Sequence, residues 1–292
     1  PGGVGGRGSG ERLAPGAGRG VGARARRAEV PSPTASQSRT PIKYLRTTDL
    51  ARAVGIHPNT VRRYVEWGLL PPVERAPNGY RLFTQRHLDC LRLARMIYSD
   101  TYPGRAIRQS GGRILQSAVA DDWGGALEHA YAHLALVQAE RAQAETAVRL
   151  LERWASGAGA DATAHPLPIG QAARLLGVTI DMLRNWERNG LVRIPRNARN
   201  GYRSYGPAEI GRLRVIRMLN RAGYSQMAIL RMLLQLDRGA TTDLRHSLDT
   251  PAPDEDVYTA SDRWLSTLAD QEQLALRVIA LVEEVIAART SP

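Results

Sequence analysis

Shifted by 122 positions, residues 47–97 of this chain lie on residues 169–219 without a gap, and 15 of the 51 positions are identical. Chance would match only a few. The identities include Gly55/Gly177, Arg62/Arg184, Gly68/Gly190, Leu69/Leu191, Arg95/Arg217 and the whole run Asn78-Gly79-Tyr80-Arg81 against Asn200-Gly201-Tyr202-Arg203. They fall on turn glycines and arginines, where a shared fold and a shared surface would keep them. A chain with such a repeat must build one supersecondary unit twice.

The first copy parses as helix, tight turn, helix, hairpin, helix. Thr47 or Thr48 can cap a short helix through Leu50, Ala51 and Val54. Gly55 ends it, because glycine adopts a left-handed backbone at little cost. Pro58 suits the first turn of a second helix that runs through Val61 and Tyr64 to Trp67, closed by Gly68. Asn78-Gly79 between two short runs is a hairpin signal. A longer helix follows, with Leu88, Leu91, Ala94 and Tyr98 at helical spacing. This order makes a winged helix-turn-helix.

Charge follows the same division. The chain carries a formal +12, distributed as +5 over residues 1–40, +7 over 41–112, −3 over 113–164, +9 over 165–238 and −6 over 239–292. Two basic blocks, each followed by an acidic one, point to two polyanion-binding surfaces. The acidic blocks hold long helical patterns. Leu127, Ala130, Leu134, Val137, Arg141, Ala144, Val148, Leu151 and Ala155 alternate three and four apart, as do Leu265, Leu268, Ala275, Ile279, Val282 and Ile286 in part. Residues 1–40 are Gly- and Arg-rich and lack the apolar groups to offset ordering entropy, so a disordered arm is expected. Gly157-Ala158-Gly159-Ala160 reads as a linker.

The fold class is therefore mainly α: two winged helix-turn-helix domains, each followed by a long coiled-coil-like helix. The expected organisation is an arm over 1–40, a first module over 41–112, a helical segment over 113–156, a linker over 157–164, a second module over 165–238 and an acidic helical segment over 239–292. No apolar run approaches the roughly 18–20 residues of a membrane span, and no secretory signal is evident, so a cytoplasmic protein is expected. The single cysteine, Cys90, excludes an internal disulfide or a one-chain thiolate metal site, and no cofactor is expected. Neither a phosphate-binding glycine loop nor a nucleophile in a recognisable setting is present, so no enzymatic activity is expected.

The stretch Thr60 to Leu70 (TVRRYVEWGLL) with Asn78 to Phe83 (NGYRLF) resembles the DNA-binding signature of the mercury-resistance regulator (MerR) family. So does Met182 to Leu191 (MLRNWERNGL) with Asn200 to Tyr205 (NGYRSY), and Ala222 to Leu230 (AGYSQMAIL) is similar to the family's second wing. The two matches take in about half of the chain. The resemblance implies a bacterial transcription regulator. Family members usually carry one module, dimerise through an antiparallel pair of long helices, and bind inverted-repeat promoter sites. Many act on RNA polymerase indirectly, by distorting an overlong promoter spacer. One departure matters: the family's Arg-Tyr-Tyr-Glu run keeps its acidic residue in the second copy as Glu187, whereas the first copy has Val65.

A helix N-terminus in the major groove offers side chains to base edges, while wings hold phosphates. The candidate DNA-contacting residues are Asn59, Thr60, Arg62 and Arg63 in the first module and Asp181, Met182, Arg184 and Asn185 in the second. Tyr80 with Arg81 and Tyr202 with Arg203 are wing candidates, and Lys43 and Arg46 are phosphate candidates ahead of the first helix. Tyr64 and Trp186 are expected to pack inside their modules. His57 either touches phosphate or caps its turn. The pair His129 and His133, one helical turn apart, lacks a third metal ligand and reads as polar helix surface. Cys90 is expected to be buried rather than redox-sensing. The long helices pair within one chain, making the monomer a pseudo-dimer, or pair with a second copy in a homodimer. Two other functions stay open: an architectural or recombination-accessory DNA bender, and a small-molecule sensor with a pocket lined by Trp123, Trp154 and Trp264.

Overall fold

The computed structural model describes residues 44–98, 103–157, 165–239, 243–251 and 260–290. The expected arm, Lys43 and most of the Gly/Ala linker lie outside them. Among the described residues no helix is long and apolar enough to cross a membrane.

Module one consists of α1 (Thr47–Ala53), α2 (Pro58–Glu66), a two-stranded antiparallel wing of β1 (Glu74–Arg75) and β2 (Arg81–Leu82), α3 (Gln85–Ile97) and α4 (Arg105–Val119). The long helix α5 (Trp123–Ala155) follows. Module two repeats the order with α6 (Ile169–Leu176), α7 (Ile180–Arg188), a wing closed at Arg196 and Arg203, α8 (Pro207–Arg221) and α9 (Gln226–Asp237). A short helix α10 (Leu244–Asp249) and a 3-10 turn (Ala260–Arg263) lead into α11 (Trp264–Thr290). The duplication extends two residues ahead of the stretch aligned in sequence. Leu45 pairs with Phe83, and Leu167 with Tyr205, each through two backbone hydrogen bonds that tie the module's entry to the base of its wing.

Local chemistry explains most boundaries, with one correction. Neither Thr47 nor Thr48 caps α1; Arg46 holds that position, and the Asp49 carboxylate accepts from its backbone N–H at 2.8 Å. The helix starts one residue earlier than the threonines suggest, so both lie within its first turn, where the Asp49 carboxylate also favours the positive end of the helix dipole. His57 is resolved as a cap, its Nδ1 accepting from Asn59 N–H at 3.2 Å. At the matching place in module two, Thr179 Oγ1 accepts from Met182 N–H at 3.1 Å. The wing also departs from the gapless repeat. Arg75 pairs with Arg81, but Arg196, not Asn197, pairs with Arg203, so the second loop is one residue longer and Ala76 and Ala198 are not structural counterparts.

The two long helices run antiparallel along each other. Tyr131 donates to Glu283, Gln138 to Glu272 and Arg141 to Glu272, at 3.0, 2.9 and 2.6 Å, so the α5 positions rise as those on α11 fall. Arg141, the polar position of the sequence seam, is thus the site of an interhelical ion pair. The described residues form two apolar cores, and each long helix enters both. Trp123, Ala126 and Ala130 of α5 belong to the core of module one, while Val137, Ala144, Val148 and Leu151 belong to that of module two. On α11 the order is reversed: Trp264, Leu265 and Leu268 lie in the second core, and Val278, Ile279, Val282 and Val285 in the first.

Trp264 seats the start of α11. Its indole N–H donates to the Ala222 carbonyl at 2.8 Å, and a Cβ on Gly223, whose φ is +94°, would fall 2.5 Å from that nitrogen. Behind it the buried Arg231 guanidinium donates to the carbonyls of Ser247 and Asp262, which fastens α10 and the 3-10 turn to α9. Two expectations follow. Gly223→Ala should destabilise the protein by about 2 kcal/mol or more, since it combines overpacking with a left-handed backbone, as read by urea unfolding. His87 and His133 are both buried, and burial lowers their pKa from the ordinary 6.5. Their contribution to stability is therefore complete above that value and lost as pH falls below it. The urea midpoint should drop between neutral pH and mildly acidic pH, and His133→Leu should remove part of that slope.

Candidate nucleic-acid interface

Each second helix is divided sharply into two faces. In α2, Val61 and Tyr64 point into the module core, and in α7 Leu183 and Trp186 do the same, as the sequence led one to expect. The opposite face of α2 carries Asn59, Arg62, Arg63 and Glu66, all exposed; that of α7 carries Asp181, Arg184, Asn185 and Arg188, also exposed. These residues are three and four apart, so each set forms one stripe along its helix. Thr60 is half-buried and Met182 is exposed at the first turn. Glu66 and Arg188 were not singled out from sequence, although their spacing from Arg62 and Arg184 was the available signal.

The arginines near each helix start are held lightly. Arg62 donates to Asn59 Oδ1 at 3.0 Å, and Arg184 to Asp181 at 3.3 Å with both side chains largely exposed. Such surface pairs stabilise little and yield readily to a base or phosphate. Arg63 instead lies over the ring of the exposed Trp67, 4.9 Å from its centroid. Arg46 is exposed ahead of α1.

The wing tips are nearly identical. Asn78 and Asn200 each accept from the backbone N–H two residues on, and the tyrosines Tyr80 and Tyr202 stand out equally, 73% exposed. Arg75 and Arg196 brace the turns by donating to the carbonyls of Gly79 and Gly201. These bracing arginines were missed because the gapless repeat sets Arg196 against Glu74. At the wing bases the modules differ: Arg203 is paired with Glu187 of α7 at 2.6 Å, whereas Arg81 is half-buried beside a chain that has Val65 in place of the acid.

The second wing of module two is anchored by polar contacts. Arg212 donates to both oxygens of Asp237, which holds the Asp237 carboxyl below its usual range, and its Nε reaches the Leu191 carbonyl at 2.7 Å. Module one has Cys90 at the place of Arg212. That thiol is buried against the Ala118 carbonyl, and burial pushes its pKa up to about 12. Among the described residues no three His, Cys, Asp or Glu side chains stand together as a metal site, and His133, expected on the polar surface of its helix, is instead buried where α5 packs against α4. Trp123 and Trp264 are buried in the two cores, and Trp154 borders an open cleft beside Val192 and Arg212.

Two basic, solvent-facing helices, each flanked by a hairpin wing and a second helical wing, define a tandem winged helix-turn-helix protein. The family model described as "MerR HTH family regulatory protein" matches residues 45–109 and again residues 167–236. The chain thus carries two tandem domains of the MerR type. It is similar to a "Probable heavy metal-dependent transcriptional regulator" of Haemophilus influenzae, 33% identical over 24% of this chain and 54% of that protein. A "Mercuric resistance operon regulatory protein" of Shigella flexneri is 34% identical over 28% of this chain and 56% of its own length. The "HTH-type transcriptional regulator CueR" of Escherichia coli O6:H1 is 44% identical over 16% of this chain and 36% of its length. The chain thus spans about half or less of each of these relatives. No solved structure matches it. The one thiol of the chain, Cys90, is buried and protonated. Cys90 should accordingly resist Ellman's reagent at pH 8 in the folded protein and react fully in denaturant.

Proposed function

We propose that this chain is a sequence-specific, double-stranded-DNA-binding transcription regulator whose two modules take the places of the two subunits of an ordinary family dimer. Its modules span residues 41–112 and 165–238, its partner is promoter DNA, and it acts on RNA polymerase indirectly through the shape of that DNA. It works in the cytoplasm and is not an enzyme. The observation that carries the reading is the antiparallel packing of α5 on α11, each helix entering both cores. That arrangement presents two exposed basic stripes from a single polypeptide, and covalent linkage raises the effective concentration of each helix for the other. The stripes are not alike: Asn59, Arg62 and Arg63 face a different set of bases from Asp181, Arg184 and Asn185. The site is therefore pseudo-palindromic, with unequal halves.

Light scattering on the DNA-free protein should report a monomer at micromolar concentration; a dimer would contradict a self-sufficient pair of modules. Selection from random duplexes should enrich one defined motif with two related half-sites, whereas an architectural bender would enrich none. Arg184→Ala should weaken binding to that motif by about 1–3 kcal/mol if its guanidinium reads a base. Unchanged affinity for both Arg184→Ala and Arg62→Ala at fixed salt would remove these helices from the groove.

A further inference from the structure

We infer that the two wings grip DNA differently: Arg81 of module one binds phosphate, whereas Arg203 of module two is a positioning residue that locks its wing to the recognition helix. The inference rests on reading both modules as DNA-binding units, and it separates two arginines that the sequence repeat makes equivalent.

The wing tips give no reason for a difference, because their turns, bracing arginines and exposed tyrosines match. The difference lies one residue further on. Arg203 Nε donates to Glu187 Oε2 at 2.6 Å, and the two side chains are only 30% and 21% exposed. An ion pair this sheltered is screened less by salt than the Arg184–Asp181 pair, and it carries its own counter-charge. Bringing phosphate to Arg203 also brings phosphate to Glu187. Arg81 has no such partner among the described residues, and Val65 stands where Glu187 does in the repeat. Its guanidinium is left with its full charge and its forked donors for backbone oxygens.

A second contact points the same way. Asn189, at the end of α7, donates to Gln226 Oε1 of α9 at 2.7 Å, which ties the recognition helix of module two to its second wing as well. The matching residue in module one is Trp67, which is 58% exposed and stacks with Arg63 of its own helix. Module two is therefore pre-organised by contacts between elements. Module one lacks both of these contacts between elements.

Each phosphate neutralised contributes about −0.9 to the slope of log K against log salt. The test measures that slope by fluorescence anisotropy on the full chain with a labelled mixed-sequence duplex of about 40 base pairs, from about 50 to 200 mM salt. Arg81→Ala should make the slope shallower by about one phosphate, and Val65→Glu, which gives Arg81 the missing partner, should do the same. Glu187→Gln should steepen it by about one, a gain that structural damage would not produce. If Val65→Glu melts early by circular dichroism, Arg81→Ala and Glu187→Gln decide the matter. An unchanged slope for Arg81→Ala, or no steepening for Glu187→Gln, overturns the assignment. If the unsubstituted protein itself shows no salt-sensitive binding to duplex DNA, the reading of the modules as DNA-binding units fails instead.

Discussion

Neither module closes its core alone. The apolar side of α3 and α4 in module one is completed by the start of α5 and the end of α11, and that of module two by the end of α5 and the start of α11. The antiparallel helix pair is therefore a shared interior and not a connector laid over two finished domains. Burial of valine, leucine and isoleucine, at about 25 cal/mol per Å², makes this pair a stabilising contribution that each module receives from outside its own repeat. The polar contacts along the pair, Tyr131–Glu283 and Arg141–Glu272 among them, are exposed or half-exposed and set register more than stability.

Duplication left the frame alike and changed how each frame is fastened. His57 and Thr179 cap α2 and α7 from the same extended backbone with different atoms. Cys90 packs against a carbonyl where Arg212 forks onto Asp237. Val65 replaces Glu187, and Trp67 replaces Asn189. In every case module one has an apolar, aromatic or imidazole solution, and module two has hydrogen-bonded polar groups. The unchanged positions include those where backbone geometry leaves little choice, such as Gly79 and Gly201 at the wing turns, with φ of +81° and +69°.

Much of this was legible in the chain. The repeat, the turn glycines and the spacing of Val61 with Tyr64 were enough to read two helix-turn-helix units, because a two-turn helix with one buried face admits few alternatives. Most of the exposed stripe of α2 and of α7 followed from the same periodicity, Glu66 and Arg188 excepted. What escaped was whatever depends on distant or compensating changes. The slip of one residue in the second wing is hidden because a gapless match through Ala76 and Ala198 still scores well. The Asp49 cap lost out to two neighbouring threonines that look better locally. The heptad seam identified Ala130, Val137 and Val148 but not Ala126, His133 or Ala147, which are buried because the helix meets a module on one side and its partner helix on another. A two-sided environment widens the buried stripe beyond what a pairwise coiled coil requires.

Because α5 is rooted in one core at Ala130 and in the other from Val137, its length acts as a ruler. One residue inserted between them would turn Val137 and Val148 by about 100° relative to Ala130 and shift them by about 1.5 Å, taking them out of their sockets. Only steps of about seven residues, matched in α11, would return the same faces to the interior, and each would move the two basic stripes apart by about 10 Å. The separation between them is thus quantised, and drift in chain length is confined to the segments outside the paired helices.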